Sequence, residues 1–336
     1  MVKKQLDYIS SLDLLRGLAA VAVCFFHFTH GNPGFLSEDN ILYQAGRYGF
    51  LGVDVFFVIS GFVIPYSMHR AGYTFSALGR FLGKRFVRIE PPYLLSIILV
   101  LALNWISTLS PYYRGSEFSI DFTQLVLHFG YLNAFFGMPW LNDVYWTLAI
   151  EFQYYLIIAL VFPLLTWNNK TVYYIFLLVF ALLGFLIDSH SFIFNYSLLF
   201  IVGILLFQFR IGYLKKNEFG ALLLIALMLI FIKFDKRYLV AALLPYFFIM
   251  YFDFKGKIAA FLGNISYSLY LVHIPIGGRI INISEVLFAD ALMRDLMVFA
   301  ALAISIFSAW LFYLFIEKPA IRWAKRIKYK EKGISP

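Results

Sequence analysis

Cysteine is nearly absent from this 336-residue chain, with Cys24 standing alone. One thiol excludes an internal disulfide and any thiolate-rich zinc centre. Charge is scarce as well. Asp, Glu, Lys and Arg make up 14% of the residues, against about 25% in a typical soluble domain. So few charges cannot cover the surface of a soluble chain. That excludes the two soluble domains the length would otherwise suggest. No internal repeat relates the two halves. What is abundant is apolar: 62% hydrophobic residues, 39 Phe and 23 Tyr, and a mean hydropathy of +0.78. The composition is that of an all-α, polytopic integral membrane bundle. The net charge of +9 then reports orientation in the membrane rather than nucleic-acid binding.

A helix needs about 20 apolar residues to cross the hydrocarbon. Ten segments qualify, near 11–30, 49–67, 91–109, 144–165, 172–188, 193–209, 218–234, 238–254, 263–283 and 294–316. The seventh and eighth share a short link at Asp235–Arg237, and the ninth carries Arg279. The first follows Lys3 and Lys4 like a signal peptide. Asp13 and Arg16 interrupt its apolar run and no small-residue cleavage pattern follows, so it reads as a retained helix. With the N-terminus inside, 20 of the 28 Lys and Arg fall in inner segments and seven outside, with Arg16 in the first span. That asymmetry places both termini in the cytoplasm, which the even span count allows. The chain 1–336 reads as a single transmembrane domain with no fused soluble domain. The outer loop at 110–143 holds an apolar-aromatic stretch, Phe122–Phe136, expected as an interfacial or re-entrant helix.

Ionisable residues inside spans are costly and are functional candidates by default. They are Asp13, Arg16, His27, Asp54, Glu151, His273 and Arg279. Arg16 and His27 are 11 residues apart, within about 20° of the same helix face and about 16 Å apart along the axis. Asp13 can pair with Arg16. His27, Asp54 and Glu151 fall at about the same depth in the outer half, which predicts a shared polar pocket. Each carboxylate pairing separately with a Tyr, Trp or Ser is the alternative. Ser266, Tyr270 and His273 share one face of the ninth span, as a site or as interhelical glue. Arg85 and Arg88, three apart in KRFVRIEPPY, form a phosphate fork if helical. Plain positive-inside bias is the other reading. Pro91 and Pro92 would then start the next span. No metal site is expected.

Together these motifs resemble the bacterial acyltransferase family 3, membrane enzymes that commonly O-acetylate sugars. DLLRGLAAVAVCFFH carries its Arg-x10-His element as Arg16 and His27, and LGVDVFFVISGFVI its second-span signature. KRFVRIEPPY carries its Arg-x-x-Arg element as Arg85 and Arg88. VYWTLAIEFQYYL carries Trp146 and Glu151. LGNISYSLYLVH and FIEKPAIRWAKR match the two C-terminal signatures. The resemblance covers almost the whole chain. It implies a multi-pass protein of the bacterial cytoplasmic membrane, in contact with membrane lipid. It implies acyl-CoA, as acetyl-CoA, as a cytoplasmic co-substrate, with no bound cofactor, and a glycan, polysaccharide or glycolipid hydroxyl as acceptor.

On that reading Arg85 and Arg88 bind the donor's polyanionic head, which needs bidentate cations, and Arg16, the third donor-binding residue, guides the pantetheine arm or binds its polar atoms. His27 is the base or nucleophile, and Asp54 or Glu151 fixes its tautomer. Trp146, Ser266, Tyr270 and His273 are candidates for orienting the acceptor or stabilising the oxyanion. Tyr112, Tyr113, Trp140 and Tyr145 would stack on sugar rings or form an interfacial aromatic belt. A proton-coupled secondary transporter using His27, Asp54 and Glu151 as a relay is the main rival, and a glycolipid flippase the second. The lack of repeated halves and of matched Gly/Pro-broken spans weighs against transport.

Overall fold

The computed structural model describes residues 9–111, 113, 115, 117–166 and 169–329. Tyr112 and the basic residues Lys3, Lys4, Arg114, Lys330 and Lys332 lie outside them. The regular structure of the described residues is all helical, and its α-helices are α1 (Ser11–His30), α2 (Ile41–Gly46), α3 (Gly52–Arg70), α4 (Leu78–Thr108), α5 (Phe122–His128), α6 (Tyr145–Thr166), α7 (Lys170–Leu186), α8 (Ser197–Arg210), α9 (Lys216–Lys233), α10 (Lys236–Tyr251), α11 (Lys257–His273), α12 (Arg279–Leu287), α13 (Ala291–Phe312) and α14 (Lys318–Arg326). Polar side chains start several of them. Asn40, Asp121, Asn169 and Asp290 accept hydrogen bonds from first-turn N–H groups, which satisfies donors the helix leaves open.

Each of the ten expected spans falls on a helix, and the chain is a multi-pass membrane protein. Seven stretches of helix are long and apolar enough to cross a bilayer: 11–30, 41–70, 75–108, 145–166, 193–210, 257–287 and 291–326. The other three expected spans coincide with α7, α9 and α10, apolar helices of 17, 18 and 16 residues. Four differences from the sequence expectation matter. First, α4 begins at Leu78, so Pro91 and Pro92 lie mid-helix rather than at its start. The basic segment is therefore helix, and the prolines withhold the N–H groups that the Val87 and Arg88 carbonyls would accept. Second, the 122–136 stretch is a short helix, a turn and a 3₁₀ turn at Asn133–Phe136. It breaks at Tyr131, whose φ is 57°. Third, α11 continues into α12 through a π-helical turn at Ile274–Gly278, and α13 into α14 through another at Tyr313–Glu317. Such turns concentrate at functional sites. Fourth, the last helix runs on to Arg326, past the expected limit of 316.

Two groups of helices share the bundle. In one, α8 is buried along almost its whole length by α3, α7, α9 and α10. In the other, α1, α4, α6, α11 and α13 pack together. Contacts fix the directions. Gly17 meets Leu262 and His27 meets His273, so α1 and α11 run parallel. Phe57 meets Tyr196 and His69 meets Phe207, so α3 and α8 run parallel. Tyr93 meets Tyr145 and Phe81 meets Tyr155, so α4 and α6 are antiparallel. The segment after α5 folds into the bundle. His128 is fully buried, bonded to the Gln124 carbonyl at 2.7 Å and accepting from the Leu141 N–H at Nε2. Tyr131 reaches Glu90, in the middle of α4, at 2.7 Å. Asn142 donates to the Leu271 carbonyl. His128, Tyr131 and Asn133 thus tie the stretch to the bundle, while Phe122, Phe129 and Phe136 stay exposed.

Candidate functional site

Helical spacing delivers one polar wall from each of several helices. On α3, Phe56, Ser60, Val63, Ser67 and Arg70 recur every three or four residues, as do Thr147, Glu151 and Tyr155 on α6 and Gly263, Ser266 and Tyr270 on α11. With Arg16 of α1, Arg85 and Arg88 of α4, and Glu317, Ile321 and Lys325 from the last π turn and α14, they line a cavity of about 470 Å³. Its basic mouth carries Arg70 and Lys325, where α3 and α14 end. Phe56, Thr147, Leu148 and Tyr270 line it at the end away from these two.

Charge in the cavity is unbalanced. Five basic side chains (Arg16, Arg70, Arg85, Arg88, Lys325) face three acidic ones (Asp13, Glu151, Glu317). The acids are partly occupied. Glu151 Oε1 accepts from Tyr155 at 2.6 Å and from Ser60 at 3.2 Å. Glu317 Oε2 accepts from the Ser268 hydroxyl at 2.6 Å and its N–H at 3.2 Å. Arg85 donates to Ser67 Oγ at 3.1 Å and lies over the Phe81 and Tyr155 rings. Arg16 and Arg88 donate to no side chain or carbonyl among the described residues. Each acts on the other, and on Glu317, only through the electric field. Two guanidinium forks with unspent donors, in an excess of positive charge, make an anion site.

Six of the expected site residues thus meet on this cavity: Arg16, Arg85, Arg88, Glu151, Ser266 and Tyr270. Four do not line it. His27 and His273 lie one side-chain layer beyond its Tyr270 end. The Tyr270 and His273 rings are 5.9 Å apart, and the His273 and His27 rings 5.0 Å. Asp54 is buried on another side of α3, with Tyr196 and Tyr238 in its field. Trp146 packs on Phe57 and Tyr196. The shared pocket expected for His27, Asp54 and Glu151 is therefore not formed. These three point to different sides of the bundle and do not share one level: Gly49, just before α3, and Gly52 of α3 meet Ala22 and Ala19 of α1, which puts Asp54 towards the N-terminal half of α1, away from His27. Neither carboxylate bonds to His27. Its Nδ1 lies 2.9 Å from the Val23 carbonyl and 3.2 Å from His273 Nε2. The acidic residue in its field is Asp143, in the exposed link before α6. Tyr270 has its hydroxyl engaged by Thr147 Oγ1 at 2.7 Å, tying α11 to α6. Arg279 is held by Asn104, Ser107 and the Pro275 carbonyl, an interhelical tie away from the cavity.

Glu317 is the cavity carboxylate that sequence reasoning missed, along with Tyr155 and Tyr267 from the walls. Glu317 precedes Lys318 and Pro319 and reads as the interfacial end of a span. The available signal was its spacing with Ile321 and Lys325, four and eight residues on, which continues the helix.

Comparison with known proteins adds the following. The acyltransferase domain family matches residues 9–314. The peptidoglycan O-acetyltransferase OatA of Listeria monocytogenes is 31% identical over 159 residues, 45% of this chain and 23% of its own length. A Staphylococcus aureus (strain COL) relative, whose O-acetyltransferase name is itself provisional, is 25% identical over 94% of this chain and 58% of its own length. The O-acetyltransferase OatA of Staphylococcus aureus (strain NCTC 8325 / PS 47) is 28% identical over 48% of this chain and 26% of its own length. The chain therefore spans between 23% and 58% of the length of these relatives. No solved structure matches it. The match over residues 9–314 identifies this chain as a member of the acyltransferase 3 family.

Proposed function

We propose that the chain is a membrane O-acyltransferase. It takes an acetyl group from acetyl-CoA held in the arginine-lined cavity and delivers it to a hydroxyl of an envelope glycan, polysaccharide or glycolipid. The names of the relatives, one of them a peptidoglycan O-acetyltransferase, support the reaction and the glycan class. The observation that carries the reading is the cavity itself. Its Arg16 and Arg88, which bond to no side chain or carbonyl among the described residues, suit with Arg85 the diphosphate and 3′-phosphate of a CoA head. The slim pantetheine arm then points its thioester away from the mouth, towards Tyr270 and Thr147.

Transfer needs the acceptor oxygen to attack the thioester carbonyl. The C–S bond breaks, CoA leaves as thiolate, and the hydroxyl proton goes to a base. His27 Nε2 is that base, or carries the acetyl group between donor and acceptor. The protein lies in the bacterial cytoplasmic membrane with ten spans and both termini in the cytoplasm. Helix directions support that count. First and ninth spans (α1, α11) run parallel, as do second and sixth (α3, α8), and third and fourth (α4, α6) oppose. The cavity mouth is then cytoplasmic and His27 lies on the outer side of the Tyr270 layer.

Purified protein in proteoliposomes tests the donor. Acetyl-CoA should bind, and CoA without its 3′-phosphate should bind more weakly. Equal binding of both, or none of either, would overturn the assignment of the cavity.

A further inference from the structure

The pair of histidines beyond the cavity has a polarity that the hydrogen bonds decide. His27 Nδ1 lies 2.9 Å from the Val23 carbonyl, four residues earlier on α1. His273 Nδ1 lies 3.0 Å from the Leu269 carbonyl and 2.9 Å from that of Tyr270. A carbonyl oxygen only accepts, so each Nδ1 carries its proton. The neutral His273 then has a bare Nε2. That atom is 3.2 Å from His27 Nδ1, so only His27 can be the donor between them. The chain of bonds runs one way, from His27 Nδ1–H to Val23 and His273, and from His273 Nδ1–H into the α11 backbone. His27 Nε2 is left with a free lone pair.

The surroundings keep this order. His273 is fully buried, between the Phe28 and Tyr270 rings. It starts the π-helical turn, and α1 and α11 lie parallel and close enough for the two rings to meet at the same level. A charge on His273 would be buried without a counter-ion, which is expensive. His273 therefore accepts a hydrogen bond without taking the proton. When positive charge develops on His27, the bond from its Nδ1–H to His273 becomes charge-assisted and strengthens. A carboxylate performs this service in hydrolase triads. Here a neutral ring performs it, at a depth where a carboxylate would itself be costly.

We infer that His273 is a positioning residue. It holds His27 with Nδ1 protonated and its ring fixed, so that Nε2 is the reacting atom. The inference rests on the proposal that His27 reacts. His273→Gln keeps an amide oxygen at the reach of Nε2, whereas His273→Leu keeps bulk and removes the acceptor. Acetyl transfer from acetyl-CoA should fall about 10- to 100-fold in kcat for His273→Leu, the loss of one hydrogen bond to a charged group. KM for acetyl-CoA should stay within about twofold, because the ring does not line the donor cavity. His273→Gln should recover most of kcat. Equal loss in both variants, or no loss in either, would overturn the inference.

A readout independent of turnover separates this from the function. The chain has six histidines, so ¹⁵N-histidine labelling of the whole protein in nanodiscs gives a resolvable set of rings. His27 should show a protonated Nδ1 and a bare Nε2, with a coupling across the bond to His273 Nε2. Absence of that coupling, or the opposite tautomer, sinks the pairing whatever the activity. If the coupling is present and His27→Ala still transfers acetyl, the role of His27 fails and the positioning role of His273 fails with it.

Discussion

Two pairs of parallel helices use the same packing device to different ends. In α3 and α8, Gly61 and Gly203 face each other. A Cβ on Gly203 would run into the Val58 carbonyl and the Gly61 backbone. In α1 and α11, Gly17 meets Leu262, and Gly263 meets the Asp13 backbone. Small residues let helices approach where lipid supplies no hydrophobic drive. Around the first pair the neighbours are apolar and aromatic: Phe57, Phe62, Phe200, Phe207. Around the second the approach brings Arg16, His27, Ser266, Tyr270 and His273 together. Close packing is thus only the platform. What differs is which faces carry polar side chains: α3 turns Ser60, Ser67 and Arg70 to the cavity and an apolar face to α8.

The sharpest break of the comparison is His27→Ala. It should lower acetyl transfer by about 10²–10⁴-fold, the range for a lost acid–base group, with membrane insertion and thermal unfolding little changed. Retained activity would reduce the α1–α11 pair to a packing element like its counterpart. Arg85→Ala or Arg88→Ala should raise KM for acetyl-CoA about 10- to 100-fold, from one lost charged hydrogen bond. Lys should rescue poorly for want of the planar fork. An unchanged KM in both would remove the donor from the cavity. Glu151→Gln should cost about tenfold in transfer, because Glu151 lines the cavity and bonds Ser60 and Tyr155. Asp54→Asn, on the far side of α3, should cost less. The reverse order in kinetic assays would move the chemistry towards α8. Least visible in activity is Gly203→Val. It should destabilise by about 1–3 kcal/mol through overpacking, read as a lower unfolding temperature, with turnover per folded molecule unchanged. Gly263→Val should lose stability and turnover together.

Much of this was legible in the sequence, and the reasons are physical. Apolar runs mark spans because unsatisfied backbone cannot sit in lipid, so every expected span found a helix. Spacing along one helix is also informative: it put Arg85 and Arg88 on one side of a helix, and both line the cavity. What spacing cannot supply is the partner across a helix interface. His273 is 246 residues from His27, and only the parallel packing of α1 on α11 brings them together. Depth misled for the same reason. Helix packing puts Asp54 level with the N-terminal half of α1, and Glu151 a turn from the Thr147–Tyr270 contact on the side away from His27, and both face other helices. Glu317 escaped notice because a lysine and a proline follow it, which usually mark the end of a span. The π turn that ends at Glu317 instead turns the carboxylate inward on a helix that continues.

The central claim is that donor and acceptor occupy opposite sides of the Tyr270–Thr147 layer, with the acetyl group crossing inside the protein. Sealed proteoliposomes of known orientation test it most directly. Labelled acetyl-CoA is supplied only on the side of the arginine mouth and a membrane-impermeant cell-wall oligosaccharide only on the other. The account predicts labelled oligosaccharide while the vesicles remain intact, and none with His27→Ala. Label that reaches the acceptor only after the vesicles are broken would contradict it.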